Sequence, residues 1–365
     1  MNNLKQYKDI MAFHPGYYVA DIIEDMGITQ AEFATRMRTT AKTISKLVNG
    51  KINLSKDLAK KLSAMLGTSV DLWLNLQKAY DEKVIEIEQE QEIDDQIEIA
   101  KMIDYSYFEE VAHLPKTKNW KEKVRNLRQY FVVADLRIFC QQDFLVNFRQ
   151  EINNSEIKNI VNSQAWLQTA INMAKSISTE PFNAKKLESY LPEIREMTLQ
   201  APEIFYYRLE EIFSDCGVSF VLLPNLKNSG INGAVKWIND NKVVLAINDR
   251  RVYADIFWFS LFHEIKHVLQ QKTKTVFISS NIEEMQEKNI QLEEEANTFA
   301  QDFLIPPKEY KKFIQNKYIS DKQIKEFAKS ICIHPGIVVG RLQHDKIIAI
   351  NRCSSLREKY KIIVD

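Results

Sequence analysis

The sequence predicts a mostly helical chain with an α+β C-terminal domain holding a small sheet. Three observations carry this expectation. Glycine and proline are scarce, nine of each in 365 residues, so apolar positions recur at helical spacing with few breaks. Near the N-terminus two short helical patterns are joined by a tight turn. Beyond residue 215, three strand-like runs precede two helical ones, the order of an α+β domain. The chain divides accordingly into 1–83, a helix-turn-helix domain; 84–115, an acidic helical connector; 116–205, a helical middle region; and 206–365, the sheet-bearing domain.

Bulk composition narrows the function. The 49 Lys and Arg are balanced by 49 Asp and Glu. That excludes a globally basic nucleic-acid binder and leaves only a local patch for DNA. Cys140, Cys216, Cys332 and Cys353 are far apart and form no C-x-x-C, which reads as reduced thiols of a cytoplasmic protein. Residues 1–13 lack the apolar run of a secretory signal, and no stretch approaches a membrane span.

In the first segment Pro15-Gly16 opens a helix with Val19, Ile22 and Ile23 at helical spacing, and Gly27 caps its end. Thr29 caps a second helix over 30–37, with Glu32 three residues on to complete a capping box. Thr40 caps a third over 41–48, stopped by Asn49-Gly50. Ile44 and Leu47 belong to the core. Gln30, Thr40, Lys42, Thr43, Ser45, Lys46 and Lys51 remain for DNA, polar groups at base edges and lysines at phosphates. Lys56 adds further charge. The local balance is 12 Lys and Arg against 9 Asp and Glu over residues 1–83.

The run Ile28-Thr29-Gln30-Ala31-Glu32-Phe33-Ala34, then Thr43-Ile44-Ser45-Lys46-Leu47-Val48-Asn49-Gly50, Leu58-Ala59-Lys60-Lys61-Leu62 and Trp73-Leu74-Asn75-Leu76-Gln77, resembles the HigA branch of the Xre, lambda-repressor-like family. The resemblance implies a five-helix DNA-binding domain of the antitoxin type. It also implies operator DNA as ligand, a homodimer, and a HigB/RelE-like toxin among the partners.

Residues 84–100 hold seven acids (Glu86, Glu88, Glu90, Glu92, Asp94, Asp95 and Glu98) and no basic residue. Ile93 and Ile97 suit a helix, so a continuous or kinked helical arm is expected, its charges solvated. Two other roles are open to it: pairing with a second copy, or masking the DNA-binding lysines. In the middle region Trp120, Val124, Leu127, Tyr130 and Phe131 repeat at helical spacing, as do Trp166, Ala170, Met173 and Ala174, and Leu187, Leu191, Ile194 and Met197. Pro181, Pro192 and Pro202 mark starts and breaks. The region carries no catalytic constellation.

In the last segment residues 218–223, 232–238 and 243–247 read as strands, the latter two as a hairpin about Asn239-Asp240-Asn241. Residues 257–269 contain H-e-x-x-H. On a helix His263 and His267 share one face, with Glu264 at its edge. Two neutral imidazoles can hold Zn²⁺, and the carboxylate can act as general base on water. Leu261, Phe262, Ile265, Val268 and Leu269 cover the other faces. A third ligand is expected from Leu292-Glu293-Glu294-Glu295-Ala296-Asn297. Glu293 is favoured by position, with Asn297 one turn on and Glu295 as the alternative; Glu294 points to solvent. Helices over 322–331 and 335–344 and a strand over 347–350 follow. His334-Pro335-Gly336 repeats His14-Pro15-Gly16, which suggests a shared way of starting a helix.

Gly233-Ala234, Phe257-Trp258-Phe259, His263-Glu264-Ile265-Lys266-His267, Glu293-Glu294-Glu295-Ala296-Asn297-Thr298-Phe299-Ala300 and Leu304-Ile305-Pro306 together resemble the ImmA/IrrE metallo-endopeptidases. The resemblance implies a zincin-like peptidase domain, zinc on His263, His267 and Glu293, Glu264 as general base, and a repressor protein as substrate. Lys266 departs from it, standing where many members have glycine. The alternative reading is a DNA-binding antitoxin whose zinc domain is a non-catalytic sensor or scaffold.

Overall fold

The computed structural model describes residues 4–140, 154–230, 232–248, 253–270, 282–316 and 318–360. The chain forms two compact units, Met1–Glu98 and Ile99–Asp365.

The first unit opens with a hairpin that the sequence reading did not anticipate. Strands β1 (Leu4–Tyr7) and β2 (Ile10–Phe13) pair antiparallel about a turn in which Lys8 has φ +52°. Five helices follow: α1 (Pro15–Asp25), α2 (Gln30–Arg36), α3 (Ala41–Val48), α4 (Lys56–Leu66) and α5 (Val70–Met102), the last running through the division between the units. The caps are those expected: Thr29 accepts from Glu32 N and Thr40 from Thr43 N, both at 3.1 Å. The capping box at α2 is only half made, because the Glu32 carboxylate turns to Arg36, 2.6 Å away. Val19, Phe33, Ile44, Leu47, Leu58, Leu62 and Trp73 fill the core.

The expectation that the acidic run is wholly solvated is corrected. Tyr7 Oη donates to Asp94 (2.7 Å), the Lys8 ammonium also binds Asp94, and Lys5 lies 3.8 Å from Glu88. The hairpin therefore takes up part of the negative charge, and Ile87 and Ile93 are buried. Among the described residues no ion pair joins the run to Lys42, Lys46 or Lys51.

The second unit continues with α6 (Tyr105–Val111), α7 (Trp120–Phe131), α8 (Asn154–Ala174), α9 (Ala184–Glu196) and α10 (Pro202–Asp215). Pro192 lies inside α9 instead of breaking it. An interior proline costs a helix about 3 kcal/mol; burial of Leu187, Leu191 and Ile194 on one face offsets it. Strands β3 (Val218–Leu223), β4 (Gly233–Asn239) and β5 (Lys242–Asn248) form a sheet of order β3-β5-β4. β3 and β5 are parallel, β4 and β5 antiparallel, so β4 is an edge. Val218, Phe220 and Leu222 of β3 and Val243, Leu245 and Ile247 of β5 share a core with helix α11 (Ala254–Gln270), while α8 also packs on β3 and β5.

Helix α12 (Ile282–Leu304) lies against α11, and α13 (Pro307–Phe313), α14 (Asp321–Ser330) and α15 (Pro335–His344) complete the unit. Residues 347–350 are not a strand. The amides of Ile347 and Ile348 both turn back to Leu342 O, at 2.9 and 3.4 Å, behind Lys346 at φ +57°. Closing the orphaned carbonyls of α15 takes the donors a strand would have used. The repeated His-Pro-Gly is one device used twice: His14 Nδ1 accepts from Gly16 N at 2.9 Å and His334 Nδ1 from Gly336 N at 3.1 Å. No described helix is long and apolar enough to cross a membrane.

Candidate metal centre and nucleic-acid interface

Helix α11 is buried on most of its circumference. Phe257, Trp258, Leu261, Phe262, Ile265 and Val268 are all in the core. Its first turn is held by the chain's last described segment. Ala254 N donates to Glu358 O (2.9 Å), Trp258 Nε1 to Tyr360 Oη (2.8 Å), and Arg357 grips Asp255 with two nitrogens, at 3.1 and 2.8 Å. Gly340 makes room for that carboxylate, since a Cβ there would meet Asp255 Oδ2 at 2.4 Å.

One strip of α11 stays open, and His263 and His267 lie on it. Their Nε2 atoms are 3.0 Å apart. From α12, Glu293 brings Oε2 to 3.5 Å from His263 Nε2 and Oε1 to 3.4 Å from His267 Nε2. Among the described residues these three form the one group of potential metal ligands brought together. Both imidazoles present the same nitrogen to one point, and a carboxylate spans them there. Two nitrogens and a carboxylate are a zinc donor set that leaves a position for water. The residues present therefore fit the metal.

Glu295 does not join them; it accepts from Gln270 Nε2 at 3.3 Å. Glu294 and Asn297 are exposed. Lys266 carries its ammonium over the Phe299 ring, 5.6 Å from the centroid.

The electrostatics are those of a coupled cluster. Hydrogen bonds from His263 and His267 hold the Glu293 carboxyl well below the usual range, against the effect of its burial. For His267 burial opposes protonation, but Glu293, Glu264 and Gln270 outweigh it and raise the imidazole. Glu264 is buried, and burial pushes its carboxyl up, helped by the nearby charge of Glu293 and opposed by the two histidines. Gly233 on the edge strand is what admits Glu264. A Cβ at that position would lie 2.7 Å from Glu264 Cγ and 2.9 Å from Oε1.

Sequence reasoning missed Gln270. It lies three residues after His267, on the same face of the helix, and its Oε1 is 2.9 Å from His267 Nδ1. That spacing was the available signal.

In the first unit, α3 puts Ile44, Leu47 and Val48 inside. Gln30, Thr40, Lys42, Lys46 and Lys51 are exposed, and Thr43 and Ser45 half-buried. Thr40 and Thr43 are partly engaged with each other, their hydroxyls 2.8 Å apart. Gly16 sets how closely α1 meets this helix, because a Cβ there would fall 1.9 Å from Leu47 O.

Residues 19–73 match the helix-turn-helix family and residues 221–332 the IrrE N-terminal-like domain family. The chain is 34% identical over 83 residues to the HTH-type transcriptional regulator YddM of Escherichia coli, covering 21% of this chain and 88% of that protein. It is 41% identical over 61 residues to antitoxin HigA-1 of Vibrio cholerae, covering 17% of this chain and 57% of that protein. A solved putative antidote protein of a plasmid maintenance system from Nostoc punctiforme is 33% identical, covers 23% of this chain and 92% of that one, and has a TM-score of 0.23.

Proposed function

Since this chain belongs to the helix-turn-helix transcriptional regulators and joins that domain to an IrrE N-terminal-like domain, we propose that it is a DNA-binding regulator of the HigA antitoxin type carrying a zinc-dependent endopeptidase. The observation that carries the reading is the convergence of His263, His267 and Glu293 beside the buried carboxylate of Glu264.

His263, His267 and Glu293 would hold the ion. Zinc bound there supplies Lewis acidity toward water and a peptide carbonyl. Glu264 takes the proton of the attacking water and returns it to the departing amine. Burial favours that role, since a carboxylate pushed upward is a better base near neutral pH. The edge strand β4 offers its open side to an extended substrate, which would pair along it next to Glu264. The substrate class is a protein: a repressor, a toxin partner of the HigB/RelE kind, or the regulator half of this same chain. In the first unit Gln30, Thr40, Thr43 and Ser45 face base edges, and Lys42, Lys46 and Lys51 face phosphates. A palindromic operator bound by a homodimer is the expected ligand.

The test uses the full chain and Glu264→Gln, each assayed for zinc content and incubated with zinc and candidate partner proteins. Both should hold zinc, and only the wild type should yield fragments. Equal fragmentation, or none under any inducing condition, would count against the peptidase. An operator released equally well by both would count against peptidase control of DNA binding.

A further inference from the structure

We infer that Gln270 is the positioning residue of the metal centre, linking two of its three ligands through one side-chain amide. The inference rests on the metal reading above. The amide nitrogen has two acceptors, Leu292 O at 3.1 Å and Glu295 Oε2 at 3.3 Å. Only an NH₂ group satisfies both, so the orientation of the amide follows from its partners. Its oxygen is then the atom 2.9 Å from His267 Nδ1. An oxygen there accepts, so Nδ1 carries a hydrogen, and Nε2, which faces Glu293, is the nitrogen left to take a metal in place of a proton.

The other end of the same amide holds the backbone of Leu292, the residue immediately before Glu293. Gln270 thus sets the tautomer of the ligand on α11 and the station of the ligand on α12. Among the described residues His263 has no equivalent: its Nδ1 is buried and meets no hydrogen-bond partner there. The two histidines are therefore unlike. His267 is fixed from behind by Gln270, whereas His263 is met only at its Nε2, by His267 and Glu293, among the described residues.

The consequence is measurable with and without metal. Zn²⁺ and Co²⁺ affinities of the full chain, by competition with a chromophoric chelator, should fall about 10- to 100-fold in Gln270→Leu. Gln270→Glu keeps an oxygen toward His267 while losing the donor to Leu292, and should retain the His267 tautomer. Long-range ¹H–¹⁵N spectra of the histidine rings in zinc-free protein report this directly. Wild type and Gln270→Glu should show a hydrogen held on His267 Nδ1, and Gln270→Leu should lose it from part of the population. Unchanged spectra and unchanged affinities in a folded Gln270→Leu would overturn the inference. So would loss of the Nδ1–H form in Gln270→Glu. Wild-type protein that takes up neither ion while showing the expected tautomers would sink the metal reading and leave the role of Gln270 in ordering His267 standing.

Discussion

Helices α3 and α11 are opposite solutions to presenting a site. α3 is short, buried along one side by Ile44, Leu47 and Val48, and turns exposed lysines outward. α11 is buried nearly all round and leaves one strip, on which two imidazoles meet a carboxylate from a different helix. The first arrangement suits a large, hydrated polyanion, where each contact is weak and many are summed. The second suits a small cation, where a few donors must converge within tenths of an ångström. Both depend on a missing side chain: Gly16 against Leu47 O, and Gly233 against Glu264. The difference is how much of the chain must cooperate. α3 needs only its own domain, whereas the metal strip draws on α11, α12 and β4.

That contrast is open to attack from both sides. The largest effect is expected at α11. Glu264→Gln should lower peptide hydrolysis by about 10²- to 10⁴-fold with zinc still bound, measured as turnover on a cleavable partner; a loss under tenfold would remove Glu264 from the chemistry. Next comes Leu47→Ala, which opens the core under α3 and should cost about 2–5 kcal/mol. Urea unfolding should show that loss, with the zinc affinity of the second unit untouched.

Gly233→Ala should cost about 1–3 kcal/mol through overpacking and reduce hydrolysis while DNA binding stays normal. If it impaired both, the two sites would not be separable as argued. Lys46→Ala should weaken DNA uniformly across sequences and reduce the slope of log affinity against log salt by about 1. An unchanged slope would take Lys46 off the phosphates.

The smallest effect is alkaline. Burial pushes the Cys216 thiol up to about 11 from 9.0 and the Tyr360 hydroxyl up to about 12 from 10.0, the latter against a hydrogen bond from Trp258. Groups raised on folding contribute stability that is complete below their unfolded values and lost as pH rises through the folded ones. The urea midpoint of the second unit should hold to about pH 9 and decline above it, and Cys216→Ser should flatten the early part of that decline.

Much of this was legible in the sequence because the signals were local. The Thr29 and Thr40 caps, the extent of α3, strands β3 and β5, and the shared face of His263 and His267 all follow from residues within a few positions of one another. The choice of Glu293 over Glu295 was left open because it depends on the rotation of α12 against α11, a tertiary fact. In the structure Glu293 faces the two histidines while Glu295 accepts from Gln270. The β1–β2 hairpin was hidden for a similar reason. Its strands are four residues each and only the first carries polar residues, and it is anchored by Asp94, more than eighty positions away. Pro192 and residues 347–350 misled because burial and helix closure overruled the local preference.

The contact between Gly16 and Leu47 O has a further implication. It fixes the stance of α3 from behind, through backbone atoms and side chains that never meet the solvent. The exposed Lys42 and Lys46 take no part in holding the helix against the domain's interior, and Thr43 and Ser45 are only half-buried. If those residues read bases as proposed, a domain assembled in this way is retargetable: its reading letters can be exchanged without reopening the question of how it folds.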